Sequence, residues 1–265
     1  MVRSPDPVIK AYRLLSRQIL FWTTKHHRQP ATMSAISTLT PSLDRLLEGG
    51  FPRGHLSLVY GEASSGKTTL SIQCAVAASM KGLKTLYVDS DQSFSHQRLL
   101  QIIGPGNKDA CEDIIIFLPQ SFAEQSRIVE SLENYVTRRV GLIVIDTVTS
   151  LYRIALGRGG GSFGLNRELN RQLAYLVELA AEHNLTVLIT GQVRSTVDGL
   201  GWQIEPVARR TISHWPKIVL RLKSTVKQKI KEARLERDLT QNHYQKRCYL
   251  EMTEKGLEDF QESPA

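Results

Sequence analysis

From Thr38 onward the apolar residues of this chain fall in short blocks, separated by longer stretches in which they recur every three or four positions. The blocks near 56–60, 85–89, 113–118, 142–146 and 185–190 predict strands, and the stretches 67–80, 96–103, 122–138 and 166–183 predict helices. A short capped helix over Pro41 to Leu47 precedes Gly49-Gly50. Leu142-Ile-Val-Ile is wholly apolar and short, as a strand covered on both faces of a parallel sheet must be. This alternation predicts an α/β fold, a mainly parallel central sheet flanked by helices. Two later blocks, Ile218 to Leu222 and Cys248 to Met252, are expected to extend the sheet with antiparallel strands at its C-terminal side. Between them, Leu222 to Lys246 is charged and has little periodicity, so a mobile loop or a surface helix is expected there.

Ahead of this core, residues 1–33 read as a separate basic extension. Val8, Ile9, Tyr12, Leu15, Ile19 and Trp22 recur at helical spacing among bases, and Gln29-Pro30 ends the pattern. The segment suits an amphipathic appendage that is either ordered or disordered, an organelle transit peptide, or a stretch that is not native because translation begins at Met33. The last reading is favoured, and the core is then residues 34–265.

Composition narrows the class. With 265 residues and 41% hydrophobic content the chain can bury one substantial core. No run approaches the roughly 18 apolar residues of a membrane span, and no secretory signal is visible, so a cytoplasmic, nucleoid-associated location is expected. Cys74, Cys111 and Cys248 fit no metal-ligand spacing and read as reduced packing residues. The formal charge of +8 is concentrated before Met33 and between Arg209 and Arg247. Such clustering suits a polyanion such as nucleic acid, or a solvated basic surface.

The chemistry is carried by Gly61-Glu62-Ala63-Ser64-Ser65-Gly66-Lys67-Thr68, with Thr69 next in line. It fits the phosphate-loop pattern G-x-x-x-x-G-K-[ST] and lies between a predicted strand and a predicted helix. Backbone N–H groups and the positive end of the helix dipole would cradle phosphate there. Lys67 would meet the terminal phosphates of ATP, and Thr68 would ligate Mg²⁺. Asp146, at the carboxyl end of the Leu142–Ile145 block, is placed to hold the same ion. The competing readings are a chance match in a glycine-containing turn and an Asp146 that merely caps a helix.

The residues after the second strand are more specific. Thr85-Leu-Tyr-Val-Asp89-Ser-Asp91-Gln-Ser-Phe94, followed by Gln97-Arg98-Leu, resembles the D-T-E-G-T-F…P-E-R signature of the RecA-like recombinases of the archaeal and eukaryotic branch. Asp146-Thr-Val-Thr-Ser-Leu-Tyr152-Arg153, the glycine-rich Gly157-Arg158-Gly-Gly-Gly-Ser and Val187-Leu-Ile-Thr-Gly-Gln192-Val follow in that family's order. Ser213-His214-Trp215-Pro-Lys217 is similar to a pattern of RadB, the short archaeal paralogues of RadA. The resemblance runs from about Thr38 to Leu257.

The resemblance implies a RecA-like ATPase core with Asp91 polarising the attacking water, Arg98 stacking on adenine, and Gln192 and His214 reporting nucleotide state. It also implies DNA binding by two loops, Tyr152 to Phe163 with Arg153 and Arg158, and Arg194 to Arg210 with Arg194, Arg209 and Arg210. Three departures qualify it. Asp91 replaces a glutamate and is one methylene short, so weak ATP hydrolysis is expected. Ala208-Arg209 stands where the relatives carry paired glycines, so the second loop is expected to move differently. Neither a helix-hairpin-helix domain nor an F-x-x-A polymerisation segment is visible ahead of Thr38, so a monomer or dimer rather than a filament, and no strand exchange, are expected. The implied role is an ATP-dependent accessory factor of homologous recombination and DNA repair. It would act on single-stranded or branched DNA beside a RadA-type recombinase or a junction nuclease. The alternative is a KaiC-like signalling ATPase, which Gly49-Gly50-Phe-Pro-Arg-Gly-His also suits.

Overall fold

The computed structural model describes residues 35–104, 108–159, 161–198, 201–227, 229–240 and 246–260. The basic extension over 1–33 lies outside them. In chain order the elements are α1 (Pro41–Leu46), β1 (His55–Gly61), α2 (Lys67–Ser79), β2 (Lys84–Asp89), α3 (His96–Ile103), β3 (Ile114–Phe117), α4 (Phe122–Ser131), β4 (Val140–Asp146), α5 (Ser150–Gly157) and α6 (Ser162–His183). They continue with β5 (Thr186–Asp198), β6 (Gly201–Pro206), α7 (Arg209–Ile212), β7 (Ile218–Ser224), β8 (Ile230–Arg237), β9 (Lys246–Thr253) and β10 (Gly256–Asp259). Short 3₁₀ turns at Lys108–Asp113 and Leu132–Tyr135 precede β3 and follow α4.

The strands pair in the order β10-β9-β8-β7-β1-β5-β4-β2-β3, with β6 folding back on β5. From β3 to β7 every neighbour is parallel, and from β7 to β10 every neighbour is antiparallel. This is the expected α/β sheet with one correction: Ile218–Ser224 runs parallel to β1. The antiparallel portion begins only at β8. A second correction concerns Leu222 to Lys246, whose described residues are mostly strand, the end of β7 through Ser224 and β8 over Ile230–Arg237, with no helix among them. The buried alternate positions of β8 are Lys231, Ala233 and Leu235. With a lysine and an alanine at two of three inward positions, the period-2 apolar signal is too thin to see in sequence.

Apolar side chains leave the sheet on both faces. One core joins α1, α2 and α3 to residues such as Val59, Tyr87, Val144, Leu188 and Leu220. The other joins α4, α5, α6 and α7 to Leu58, Val88, Ile145, Ile189 and Val219. A sheet clamped this way is rigid at its centre, and the loops at its carboxyl edge are held in place from below.

Candidate functional site

The phosphate loop connects β1 to α2. Gly61 pairs with Leu222 of β7, and a Cβ on Gly61 would lie 2.0 Å from the Leu222 carbonyl oxygen, so only glycine lets the two strands close. Gly66, the residue capping α2, has φ +102°, a left-handed angle that side chains resist. The loop therefore owes its two flanking glycines to backbone geometry. Inside it, Lys67 is buried, and its Nζ donates to the carbonyl oxygens of Gly61 at 2.9 Å and Glu62 at 2.6 Å. Burial lowers the Lys67 pKa, and the carboxylates of Asp146, Asp91 and Glu62 oppose that shift. The Ser65 hydroxyl is buried without a hydrogen-bond partner. An ammonium kept among backbone carbonyls and an unsatisfied hydroxyl fit a phosphate group, which would give both a stronger partner.

Asp146 ends β4 fully buried. Its Oδ1 accepts from the Thr190 hydroxyl at 2.5 Å and its Oδ2 from the Tyr87 hydroxyl at 2.8 Å. Burial raises its pKa, against the pull of hydroxyls from Thr190, Thr68 and Tyr87. Thr68 itself lies 3.4 Å from the Ser93 hydroxyl. A carboxylate oriented by two strands and facing the Thr68 hydroxyl is a donor set suited to Mg²⁺. Tyr87 and Thr190 are members of this site that the sequence reading missed. Nothing in their sequence surroundings marks them; in the sheet each sits on a strand adjacent to β4, one on either side.

Asp91 lies beyond the end of β2, exposed. The Gln192 Nε2 donates to Asp91 Oδ2 at 3.2 Å, and Arg153 Nη1 donates to Gln192 Oε1 at 2.5 Å. The structure thus brings together a residue just beyond β2, one within β5 and one on α5. Behind Asp91 stands a wholly buried polar cluster. Ser90 Oγ donates to Gln125 Oε1, Gln125 Nε2 donates to Gln172 Oε1, and Gln172 Nε2 donates to Ser126 Oγ. These glutamines carry no motif and were not legible in sequence. Asp89 accepts from the Ser93 and Phe94 backbone N–H groups and so shapes the turn rather than the chemistry.

Arg98 stands on α3 with Nη1 donating to the Thr253 and Glu254 carbonyls. Those bonds hold the guanidinium plane beside the β9–β10 turn. His214 is exposed, and its ring meets Trp215 edge-on at 5.2 Å. Among the described residues no hydrogen bond joins it to Gln192.

Neither expected loop is a loop throughout. The segment from Tyr152 is helical to Gly157, and α6 begins at Ser162, leaving a short glycine turn that includes Arg158. Leu151 and Tyr152 are buried, which accounts for the helix. Exposed Arg158 borders a cleft of about 660 Å³ whose floor includes Phe122, Leu151 and Leu165. Most of the second segment is the β5–β6 hairpin, with Gly199 and Leu200 outside the described residues. Arg194 and Arg209 both converge on Glu205, at 2.7 Å and 3.3 Å, while Arg210 is exposed. Ala208, in the place of a glycine, still adopts a left-handed angle with φ +53°. Such an angle costs a non-glycine residue about 1–2 kcal/mol.

The model of the Rad51 family matches residues 29–260. A "DNA repair and recombination protein RadB" of Thermococcus kodakarensis is 38% identical over 229 residues, covering 85% of this chain and 100% of the relative. Its namesake in Methanococcoides burtonii is 36% identical over 183 residues, covering 69% of this chain and 80% of the relative. A crystal structure of the RadB recombinase superposes with a TM-score of 0.73 at 35% identity, covering 85% of this chain and 100% of that one. A RecA-like sheet, a phosphate loop opening α2 and these matches agree, and the chain belongs to the RadB branch of the Rad51 family.

Proposed function

We propose that this protein binds ATP and Mg²⁺ at the Gly61–Thr69 loop, binds DNA at the neighbouring carboxyl edge of the sheet, and serves as an accessory factor in recombination and repair. The observation that carries this reading is the loop between β1 and α2, where the buried Lys67 ammonium donates to the Gly61 and Glu62 carbonyls and the Ser65 hydroxyl is buried without a hydrogen-bond partner. Bound ATP would supply the phosphoryl group to be transferred, and Mg²⁺ the counter-charge for its oxygens. Lys67 and the loop N–H groups would hold the phosphates, Thr68 and Asp146 the metal, and Arg98 the base. Among the described residues, Asp91 is the one exposed carboxylate at this edge with a hydrogen bond to Gln192, and it is the base that would orient water. Its short side chain supports slow turnover.

DNA binding is supported by Arg153, Arg158, Arg194, Arg209 and Arg210, which lie on α5, the glycine turn, the β5–β6 hairpin and α7. The reading includes a monomer or dimer acting beside a RadA-type recombinase or a junction nuclease. The match to Rad51-family relatives favours it over the KaiC-like alternative.

Anisotropy of a labelled single-stranded oligonucleotide titrated with the full chain, over a salt series and with or without Mg·ATP, tests it. Binding that declines linearly on log–log axes is expected, with a slope of about 0.7 per phosphate engaged. No binding at low salt would overturn the DNA half, and no effect of nucleotide on that binding would overturn the nucleotide-reporting role expected of Gln192.

A further inference from the structure

Arg153 is exposed on α5, yet its guanidinium is spent on a neutral acceptor, the Gln192 side-chain oxygen. That bond fixes which way the Gln192 amide points. With Oε1 committed to Arg153, Nε2 faces Asp91 and donates to its carboxylate. The Gln192 backbone is anchored independently, its N–H donating to Thr149 Oγ1 at 3.2 Å. What remains free to change is therefore the side-chain amide, and Arg153 holds it.

We infer that Arg153 is a positioning residue through which DNA controls Asp91: a DNA phosphate draws the guanidinium away from Gln192, and the freed amide releases Asp91. The inference rests on the ATP and DNA reading above and goes beyond the nucleotide-reporting role that the family resemblance implies for Gln192. Its physical basis is a contest between acceptors. A phosphate carries charge and offers two oxygens to the guanidinium fork, whereas the amide offers a single uncharged oxygen. Once Arg153 leaves, the amide is held by its bond to Asp91 alone, and rotation of the side chain breaks the Nε2 donation that ties up an Asp91 oxygen. Asp91 then has both oxygens available to a water molecule. The device ties carboxylate availability to DNA contact with no movement of the sheet.

The same chain of contacts accounts for an otherwise odd arrangement, an arginine of a basic DNA-facing edge bonded to a neutral amide while Arg194 and Arg209 beside it have a carboxylate partner. Arg153 is the one of the three whose release needs no separation of opposite charges.

The test compares the full chain with Arg153→Ala and Arg153→Lys. The Gln192 side-chain NH₂ resonances are followed by ¹⁵N NMR in nucleotide-free protein, assigned by their loss in Gln192→Leu. ATP turnover is measured with and without oligo(dT). In the parent, oligo(dT) is expected to move the Gln192 resonances and to raise turnover several-fold. Arg153→Ala is expected to show the shifted resonances without DNA, a raised basal turnover and no further rise with oligo(dT). Arg153→Lys is expected to recover the salt dependence of oligo(dT) binding but not the orientation of the amide. Oligo(dT) that moves the amide and stimulates turnover in Arg153→Ala as in the parent would overturn this inference alone. So would a parent that binds oligo(dT) while its Gln192 resonances stay fixed. A parent that binds no oligo(dT) would overturn the DNA reading with it.

Discussion

Arg194 and Glu205 face each other across the β5–β6 hairpin, and both Nε and Nη2 of the arginine donate to the same carboxylate oxygen, at 3.0 Å and 2.7 Å. Arg209 reaches the other oxygen at 3.3 Å. One acid thus occupies two cations on the edge read as DNA-facing. It neutralises part of the field that would attract phosphate, and a DNA strand must compete with it. Glu205→Gln is expected to tighten binding of single-stranded DNA several-fold at low salt and to steepen the log–log salt dependence by up to about 1.4, the value for two freed contacts. Equal slopes for the two proteins would show that Arg194 and Arg209 do not meet phosphate.

Asp146 leads to a prediction with a defined pH dependence. Its carboxyl has a raised pKa in the folded protein because it is buried. A raised folded value means the folded state binds a proton more readily than the unfolded chain does. The stability this contributes is present below the ordinary carboxylate range and is lost as pH rises through the raised value. Asp146→Asn removes the charge and keeps the shape. The metal-free variant is expected to melt higher than the parent at neutral pH, with the gap closing toward acid pH. The same variant should lose the Mg²⁺-dependent part of nucleotide affinity. A parent that melts higher than the variant across this range would show that the hydroxyls of Thr190 and Tyr87 outweigh burial.

Much of this site was legible because its parts obey local rules. The phosphate loop needs glycine at fixed points, and Gly61 and Gly66 stand where strand contact and a left-handed angle demand it. Asp146 and Asp91 follow buried strands that any apolar run would reveal. Elements formed by weak alternation were hidden: β8 turns a lysine and an alanine inward, and β7 has the same apolar run whether it pairs parallel or antiparallel. Direction is set by the path of the chain, not by the strand's own residues. The two expected loops failed for a related reason. Arginine and glycine suggested open chain, while the burial of Leu151 and Tyr152 on α5 and the pairing of β5 with β6 decided otherwise. Contacts between distant residues, such as Tyr87 with Asp146 or Gln125 with Gln172, leave no trace in spacing.

Lys67 is a buried ammonium whose bonds are to two carbonyls of its own loop. Burial already lowers its pKa, so keeping it charged costs the fold something. Lys67→Ala is expected to leave the nucleotide-free melting temperature unchanged or slightly higher, while fluorescent-ATP affinity drops at least tenfold, or about 1.4 kcal/mol. A cooperative loss of folding would reassign the lysine to structure.

Asp91 tests reach rather than charge. Its carboxylate is exposed and bonded to Gln192 Nε2 at 3.2 Å. A misplacement of about 1 Å in a catalytic group can cost roughly a hundredfold in rate. Asp91→Glu restores the missing methylene and is expected to raise kcat by about tenfold or more, within that bound, with KM little changed. Turnover that stays at the parent level under saturating ATP and DNA would place the limit elsewhere, for instance in product release.

The buried glutamines behind Asp91 permit a prediction about coupling. Gln125 and Gln172 are almost wholly inaccessible, and each satisfies the other along with Ser90, Ser126 and the Val148 carbonyl. Replacing one strands its partners without solvent. Gln125→Leu is therefore expected to cost about 1–3 kcal/mol, read as a lower denaturation midpoint at constant m-value. Gln172→Leu should cost a similar amount. In the double variant the two leucines meet each other and fewer polar groups are stranded, so its loss should fall short of the sum, giving a favourable coupling energy between the sites. Because Ser90 precedes Asp91, the single Gln125→Leu change should also lower turnover with ATP affinity unchanged. Strict additivity in denaturation would mean that the glutamines are held separately and that the cluster does not act as a unit.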